Sequence, residues 1–194
     1  VILAGGKGTR LGSVTQETPK PMVNIGGRPF IEYIIWNLSR QGIKEIYILA
    51  GYKSQVIIDY FNKKKLYGIE IKTLVEHEPL GTAGSLILHQ DLLNESFWVL
   101  NGDTFFDCSY VDLYNKHKSD KEIIIFGTHL EQVNRFGFIT FDSSLFVTAF
   151  EEKKDNFEDS AINAGVYMFR KEYLKDLEVE FLSLENDLFP SLAA

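Results

Sequence analysis

Strand-like and helix-like patterns alternate over residues 1–120, and this alternation constrains the fold more than any other feature of the sequence. Apolar runs that read as strands lie at 1–4, 43–51, 69–75 and 97–103. Stretches with helical spacing or a capping residue separate these runs, and Thr82 is expected to cap a helix that runs to roughly His89. The alternation predicts a parallel sheet with helices on both faces. Four further strand-like runs follow residue 121 without a full helix between them. They predict antiparallel strands that wall off one side of the carboxyl edge of the sheet.

The predicted fold class is α/β, with a Rossmann-like, mixed and mainly parallel sheet, helices on both faces and a smaller antiparallel lobe. The 194 residues are 45% hydrophobic and 24% charged, which is enough for one good-sized core. We expect a single domain over 1–194, with one lobe at 1–120 and another at 121–194. Because the sequence opens inside a strand and stops inside a helical pattern, we also expect a truncation at both ends, with the larger loss at the C-terminus.

Charge and cysteine content narrow the choice of partners and compartment. A formal net charge of −7 argues against a nucleic-acid or anionic-membrane surface, since either would need a basic face. Cys108 is the single cysteine, which excludes an internal disulfide and suits a reducing compartment. No apolar run approaches the ~18–20 residues that span a bilayer, and no signal peptide is visible. We therefore expect a cytoplasmic protein.

The stretch "LAGGKGTRLGSVTQETPKPM" (3–22) places three glycines directly after the first strand. Ligands of open parallel sheets bind beyond the carboxyl ends of the strands, where glycine N–H groups can converge on one anion. Arg10 adds a fork of donors, and Lys20 adds a point charge on what we expect to be a stiff extended segment between two prolines. The pattern predicts a polyphosphate cradle, and the alternative is a glycine-rich turn with two solvated cations. The stretch does not fit the dinucleotide fingerprint G-x-G-x-x-G, because Leu11 stands where that motif has its last glycine. It does not fit the P-loop either, because Lys7 is followed by Gly8 and not by Ser or Thr.

This stretch resembles the signature of the sugar-1-phosphate nucleotidyltransferases, G-G-x-G-T-R-L with a downstream P-K-P. Further similar stretches follow in order: "EPLGTAGS" (78–85), "LNGDTFFD" (100–107), "FEEK" (150–153) and "NAGVYMF" (163–169). Within the family, the chain is most similar to the bacterial guanylyltransferases, especially those for D-glycero-D-manno-heptose 1-phosphate. The resemblance implies an enzyme that transfers a nucleoside monophosphate from an NTP to a sugar 1-phosphate. Pyrophosphate would be released, and the product would be a nucleotide sugar for surface polysaccharide synthesis.

The resemblance also implies roles for individual residues on the nucleotide side. The nucleotide site would comprise Leu3, Ala4, Gly5, Gly6, Gly8, Thr9, Glu76, Gly81 and Thr82. Arg10 would stabilise the departing pyrophosphate, and Lys20 would neutralise the α-phosphate as negative charge builds there. Glu76 would read the base edge, and a carboxylate, which only accepts hydrogen bonds, suits the neighbouring N–H and NH₂ donors of guanine. GTP is therefore favoured over UTP or dTTP.

Metal and sugar ligands are implied in the same way. Asp103 ends the fourth strand and would bind Mg²⁺ together with triphosphate oxygens and water, the alternative being a strand-end aspartate that caps the next turn. Asp107 is the second candidate ligand, but we expect it to start the next helix. Family members usually have a second carboxylate in a stretch resembling F-I-D-I-G, which does not occur before Ala194, so the metal site looks incomplete. The implied sugar-phosphate site comprises Gly137, Glu152, Lys153, Asn163 and Gly165.

Several alternatives stay open. A glycosyltransferase would typically carry D-x-D, and "NGD" lacks the first acid. A non-catalytic nucleotide-binding subunit is disfavoured because Arg10, Lys20, Asp103 and Lys153 are retained together. Heptose, mannose and glucosamine phosphates all stay open as acceptors, and a mannose- or glucose-type 1-phosphate nucleotidyltransferase that uses another NTP is the alternative enzyme. Exposed aromatics among the 15 Phe and 9 Tyr could form a homo-oligomer interface. The four histidines form no acid–base motif.

Overall fold

The parallel half of the main sheet is built around its first strand. The computed structural model describes residues 1–62, 66–116, 123–128, 137–152 and 160–193, without the side chains of Arg10, Glu151, Glu152 and Ser160. Strand β1 (Ile2–Ala4) pairs in parallel with β4 (Glu45–Ala50) and with β6 (Ser96–Asn101), and β5 (Glu70–Val75) pairs in parallel with β4. Parallel strands need crossover connections, which here contain α1 (Phe30–Arg40), α2 (Ser54–Asn62) and α3 (Gly81–Leu88).

The antiparallel half is organised by one long strand, β10 (Ser160–Arg170). It pairs with β6 along one edge and with β7 (Ile124–Thr128) along the other, while β8 (Gly137–Phe141) pairs with residues 160–162 and then with β9 (Val147–Glu152). Because β7 and β8 both pair with Ile162, they occupy opposite edges of β10. Strands β8 and β9 therefore lie beyond the carboxyl end of β6, where the sequence predicts a wall of antiparallel strands.

Helices cover both faces of this sheet. The side chains of β4 alternate between the faces, so Ile48 packs with α1, α2 and α4 (Tyr110–Lys116), whereas Leu49 packs with α3 and α5 (Phe189–Ala193). The first face takes its buried helical side chains from Ile31, Ile34, Ile35, Leu38, Ile57, Phe61 and Tyr110. The second takes them from Ala83, Leu86, Ile87 and Phe189. The predicted α/β fold class is confirmed.

Several local details differ from the expectation. A separate hairpin of β2 (Asn24–Ile25) and β3 (Arg28–Pro29) precedes α1 and was not predicted. Helix α4 begins at Tyr110, and the Ser109 hydroxyl accepts a hydrogen bond from the Asp112 N–H at 3.2 Å. The expectation for Asp107 is therefore wrong, because Ser109 supplies the capping oxygen. Among the described residues, no helix combines the length and the apolar character needed to cross a membrane.

Candidate active site

A cleft of about 820 Å³ opens at the carboxyl ends of β1, β4, β5 and β6. This is the edge at which open parallel sheets bind ligands. Lys20 and Asp103 line the cleft. So do all nine residues predicted for the nucleotide side, which are Leu3, Ala4, Gly5, Gly6, Gly8, Thr9, Glu76, Gly81 and Thr82. The sequence stretches that carry these residues are far apart, and the topology brings them together.

The glycine-rich loop is fixed by hydrogen bonds at several points. Gly8 has a φ of +62°, which favours glycine, and its carbonyl accepts hydrogen bonds from the Leu11 N–H at 3.1 Å and the Thr15 hydroxyl at 3.0 Å. From the loop between β4 and α2, the Tyr52 N–H donates to the Gly5 carbonyl at 3.1 Å. The loop therefore borders the cleft with a preset backbone, as an anion cradle requires.

Arg10 belongs to the 3₁₀ segment Thr9–Thr15 that follows the glycine loop. Its side chain lies outside the described part of the structure, so its role at the pyrophosphate stays a prediction. Lys7 lines the cleft instead, at a position that the sequence signature leaves variable. The signature therefore gave no reason to select it.

Lys20 and Asp103 form an ion pair within the cleft. Lys20 Nζ lies 2.5 Å from Asp103 Oδ2, and the two side chains are 36% and 37% exposed. The backbone around Lys20 differs from the expected extended segment: Pro19 is extended, but Lys20–Met22 form a 3₁₀ turn closed by the Met22 N–H on the Pro19 carbonyl at 2.8 Å. A Cβ on Gly8 would lie 2.9 Å from the Cβ of Lys20, so the glycine lets the lysine approach the loop closely.

The Asp103 carboxylate offers oxygen ligands that suit a hard cation. Its Oδ1 lies 3.3 Å from the Thr104 hydroxyl, and its Oδ2 faces Lys20 rather than a buried partner. The described residues contain no group of three or more His, Cys, Asp or Glu side chains that could enclose a metal by themselves. Mg²⁺ commonly binds through one or two carboxylates with substrate phosphates and water, so a single carboxylate in this cleft fits that ion as a partial site.

Glu76 extends from the end of β5 into the floor of the cleft. A Cβ on Gly5 would come within 2.7 Å of Glu76 Oε1, so the carboxylate packs directly on the glycine loop. Its Oε2 is buried and has no hydrogen-bond partner among the described residues. Burial raises the pKa of Glu76, and the Leu80 backbone and the Ser85 hydroxyl oppose that rise. Glu76 also lines the cleft, so its carboxyl group borders the space that is open to a ligand.

The first turn of α3 is covered by the chain segment around Leu182. The Leu182 carbonyl accepts hydrogen bonds from the Ala83 N–H at 2.9 Å and the Gly84 N–H at 3.2 Å. Thr82 does not cap α3, because its hydroxyl accepts from the Leu184 N–H at 2.7 Å. A Cβ on Gly81 would lie 2.5 Å from the Leu182 carbonyl oxygen, so this glycine is needed for the close approach whether or not it also contacts a base.

The predicted sugar residues lie next to the cleft rather than along the described part of its wall. The Asn163 amide donates to the Tyr167 hydroxyl at 2.8 Å and accepts from the Gly165 N–H at 2.9 Å. Gly165 packs against Asn101, which does line the cleft. Gly137 begins β8 and pairs in register with Glu152. The side chain of Glu152 and the whole of Lys153 lie outside the described residues, so neither role is tested.

Glu185 is a cleft residue that the sequence analysis missed. Its Oε1 accepts a hydrogen bond from the Tyr167 hydroxyl at 2.9 Å, and its Oε2 lies 3.4 Å from the Thr82 hydroxyl. Tyr167 is fully buried, and burial together with the Glu185 charge raises its pKa above the usual range. The network therefore joins Thr82, which is predicted for the nucleotide site, to Asn163, which is predicted for the sugar-phosphate site. No local pattern marks Glu185, because its importance comes from contacts with residues distant in sequence.

Comparisons with known proteins agree with this geometry. The sequence profile of the family described as Nucleotidyl transferase matches residues 1–188. A D-glycero-alpha-D-manno-heptose 1-phosphate guanylyltransferase from Campylobacter jejuni subsp. jejuni is 38% identical over 180 residues, which cover 93% of this chain and 79% of that protein. A mannose-1-phosphate guanyltransferase from Yarrowia lipolytica is 35% identical over 200 residues, or 100% of this chain and 55% of that protein. The chain spans about half the length of this second relative.

A solved structure shares the fold closely. The crystal structure of HddC from Yersinia pseudotuberculosis complexed with GMP-PN aligns with a TM-score of 0.87 and 34% identity, covering 97% of this chain and 84% of that one. Its identity and coverage place the likeness well beyond a general similarity of architecture. The resemblance seen in the sequence motifs is confirmed. The chain belongs to the nucleotidyl transferase family.

Proposed function

We propose that this chain is a sugar-1-phosphate guanylyltransferase, which transfers GMP from GTP to a sugar 1-phosphate and releases pyrophosphate. The observation that carries the proposal is the meeting of the glycine-rich loop, Lys20 and Asp103 in one cleft. Backbone amides, a cation and a carboxylate at one place suit two phosphate-bearing substrates and a divalent cation. A heptose 1-phosphate is the favoured acceptor, because the Campylobacter jejuni relative is named for that substrate and matches 93% of the chain.

The reaction requires positioning and charge neutralisation rather than a general base. An oxygen of the sugar 1-phosphate attacks the α-phosphorus of GTP, the bond from that phosphorus to the bridging oxygen breaks, and pyrophosphate leaves on the opposite side. The second pKa of a phosphate monoester is about 6, so the nucleophile is already mostly dianionic at neutral pH. Two anions that repel each other must still meet in line, and the cleft residues supply that alignment.

On the nucleotide side, the backbone of Gly5, Gly6, Gly8 and Thr9 holds the triphosphate. Lys20 leaves Asp103 and turns to the α-phosphate, an exchange that costs little because both side chains are more than a third exposed. Arg10 stabilises the departing pyrophosphate. Asp103 would hold Mg²⁺ together with phosphate oxygens and water, and the bound ion would supply positive charge that offsets the negative charge of the reacting phosphates.

GTP is the proposed donor because of Glu76. Glu76 lines the cleft, and its carboxylate would accept hydrogen bonds from the guanine edge. Gly81 and Thr82 border the same part of the cleft. Guanine presents two neighbouring donors, N1–H and the 2-amino group, to a carboxylate, whereas uracil and thymine present one N–H between two carbonyl oxygens, which disfavours them.

The sugar 1-phosphate is proposed to bind beside the carboxyl end of β6. Gly137, Asn163 and Gly165 are carried to this edge by β8 and β10, and Glu152 is the cross-strand neighbour of Gly137. Lys153 is proposed for the sugar phosphate on the resemblance alone. Tyr167 and Glu185 hold the Asn163 amide in place from behind.

Mannose 1-phosphate is the second candidate acceptor. Relatives named as mannose-1-phosphate guanyltransferases match the whole length of this chain at 35% identity, only slightly below the heptose relative.

A cytoplasmic location belongs to the same proposal, and the single cysteine, which suits a reducing compartment, supports it.

Pyrophosphate release is the direct test. The full-length protein is incubated with Mg²⁺, one of four NTPs and one of a panel of sugar 1-phosphates containing heptose, mannose, glucose and glucosamine. We expect release that depends on both GTP and a sugar 1-phosphate, fastest with the heptose. If mannose 1-phosphate were the one sugar 1-phosphate that supports release, the second candidate would be selected. Absence of release with every pair of NTP and sugar 1-phosphate would contradict the proposed function.

A further inference from the structure

Phe181 is an exposed aromatic residue that lines the cleft. Its side chain is 68% exposed, and it lines the same cleft as the glycine loop, Lys20 and Asp103. Single exposed apolar residues are ordinary on protein surfaces, so exposure alone means little. The location is what sets Phe181 apart, because it alone among the exposed large apolar residues of the described chain lines the cleft.

The backbone next to Phe181 is tightly held. The Leu182 N–H donates to the Leu80 carbonyl at 2.9 Å, and the Leu182 carbonyl accepts from the Ala83 N–H at 2.9 Å. On the other side, the Glu180 carbonyl lies so close to Gly84 that any Cβ there would collide with it. Phe181 is therefore bracketed by two residues that are seated on the first turn of α3. A ring presented on a fixed backbone loses little further freedom when a ligand covers it.

The segment that carries Phe181 leads directly to the sugar side of the cleft. Four residues further along, Glu185 hydrogen-bonds to Tyr167 of β10, which in turn holds Asn163. The base side already has a polar reader in Glu76, whereas the described sugar-side residues offer polar groups and glycines but no apolar surface. A sugar ring has a face of C–H groups that polar side chains cannot satisfy and an aromatic ring can cover.

We propose that Phe181 is a specificity-determining residue that packs against the C–H face of the sugar 1-phosphate. This inference rests on the proposed function. It assigns the ring to the acceptor and not to the nucleotide, so loss of the ring should weaken the acceptor alone.

The test compares Phe181→Ala with Phe146→Ala. Phe146 is 57% exposed, lies just before β9 and does not line the cleft, so it is a matched change at an unrelated place. Steady-state kinetics are measured with GTP and heptose 1-phosphate in the presence of Mg²⁺. We expect Phe181→Ala to raise the KM for the sugar 1-phosphate about tenfold, which corresponds to loss of one aromatic packing contact. The KM for GTP should stay within about twofold, and Phe146→Ala should change neither constant.

Two further measurements make the outcome decisive. Phe181→Tyr keeps the ring and should retain the low KM for the sugar 1-phosphate, and thermal unfolding of Phe181→Ala should match wild type because the ring is mostly exposed. An unchanged KM for the sugar 1-phosphate in Phe181→Ala, or a rise in the KM for GTP instead, would overturn the inference. The proposed function would still stand in that case, provided that the wild type is active. A wild type that releases no pyrophosphate with any pair would overturn both.

Discussion

At the residue scale, the pairing of Lys20 with Asp103 separates chemistry from folding. An ion pair whose members are 36% and 37% exposed contributes little to stability, because water screens both charges. A substitution of Lys20 should therefore affect the reaction far more than the fold. This makes Lys20 the cleanest place to test whether the cleft acts on phosphates.

We expect Lys20→Ala to lower kcat by roughly 100-fold or more, since it removes the charge proposed to stabilise the transition state. Its unfolding temperature should stay within a few degrees of wild type. Both are measured by pyrophosphate release and by thermal unfolding monitored by circular dichroism. Lys72→Ala is the matched control, because Lys72 pairs with Glu45 and Glu70 on the surface of β5 and does not line the cleft. Near wild-type turnover in Lys20→Ala would remove Lys20 from the mechanism.

Glu76 presents the opposite case, in which function and stability conflict. Burial raises its pKa, so the folded protein binds this proton more tightly than the unfolded chain does. The ionised form therefore costs stability when the pH is above the raised pKa, and this cost disappears as the pH falls below it. A carboxylate kept at such a position is consistent with a role in binding rather than in folding.

Glu76→Gln should consequently unfold at a higher temperature than wild type at about pH 8. The difference between the two unfolding temperatures should become smaller toward about pH 5. The same change should raise the KM for GTP, because an amide presents a donor where guanine requires an acceptor. Scanning calorimetry across the pH range and steady-state kinetics measure the two effects. Glu178→Gln, an exposed substitution outside the cleft, controls for the lost charge. A variant that is less stable than wild type at every pH would contradict this account.

At the scale of elements, sequence patterns succeeded where structure is local and failed where it is not. The strands and α1 could be predicted because their apolar spacing reports which side faces the core. The capping roles of Thr82 and Asp107 were wrong because another partner competes for each position: Leu184 engages the Thr82 hydroxyl, and Ser109 supplies the cap of α4. Glu185 and Phe181 could not be found at all, since they enter the cleft only when the chain returns to α3.

The docking of that returning chain onto α3 gives a prediction in which two physical effects have opposite signs. Helix propensity favours alanine over glycine by roughly 1 kcal/mol, so Gly84→Ala would stabilise an isolated α3. The new Cβ would instead collide with the Glu180 carbonyl, and backbone atoms cannot move aside cheaply. We expect the collision to win and to destabilise the protein by about 1–3 kcal/mol, measured by urea unfolding.

Gly6→Ala is the matched control for that measurement. A Cβ on Gly6 meets nothing within 4 Å, so its free energy of unfolding should stay close to that of wild type. If Gly84→Ala were as stable as wild type or more stable, the segment around Leu182 would not be seated on α3 as described. The site and the fold are linked here, because the same contact positions Phe181.

At the scale of the whole molecule, the charge of the cleft supports the proposed role of a divalent cation. The chain carries a net charge of −7, and the described cleft residues include two lysines against four carboxylates: Lys7, Lys20, Glu76, Glu78, Asp103 and Glu185. The sequence predicts that cations gather at the phosphates, but two of the expected cations, the side chain of Arg10 and the whole of Lys153, lie outside the described residues. With carboxylates outnumbering lysines, GTP should bind poorly unless it brings positive charge with it.

Thermal unfolding in the presence of ligands tests this directly. At 100 times its Kd, a ligand stabilises the folded state by about 2.7 kcal/mol, which for a chain of this size raises the unfolding temperature by roughly 5–10 °C. We expect that shift with GTP and Mg²⁺ together and a much smaller one with GTP and excess chelator, because the uncompensated triphosphate meets the carboxylates of the cleft.

Asp103→Asn separates the metal from the rest of the cleft. The amide is a weaker ligand for a hard cation, so the part of the shift that depends on Mg²⁺ should shrink, while the unliganded variant should unfold at nearly the wild-type temperature because Asp103 is more than a third exposed. An equal shift with and without Mg²⁺ would mean that the lysines and backbone amides neutralise the triphosphate alone. The role of Asp103 would then be confined to holding Lys20, and the cleft would not need the cation to gather its substrates.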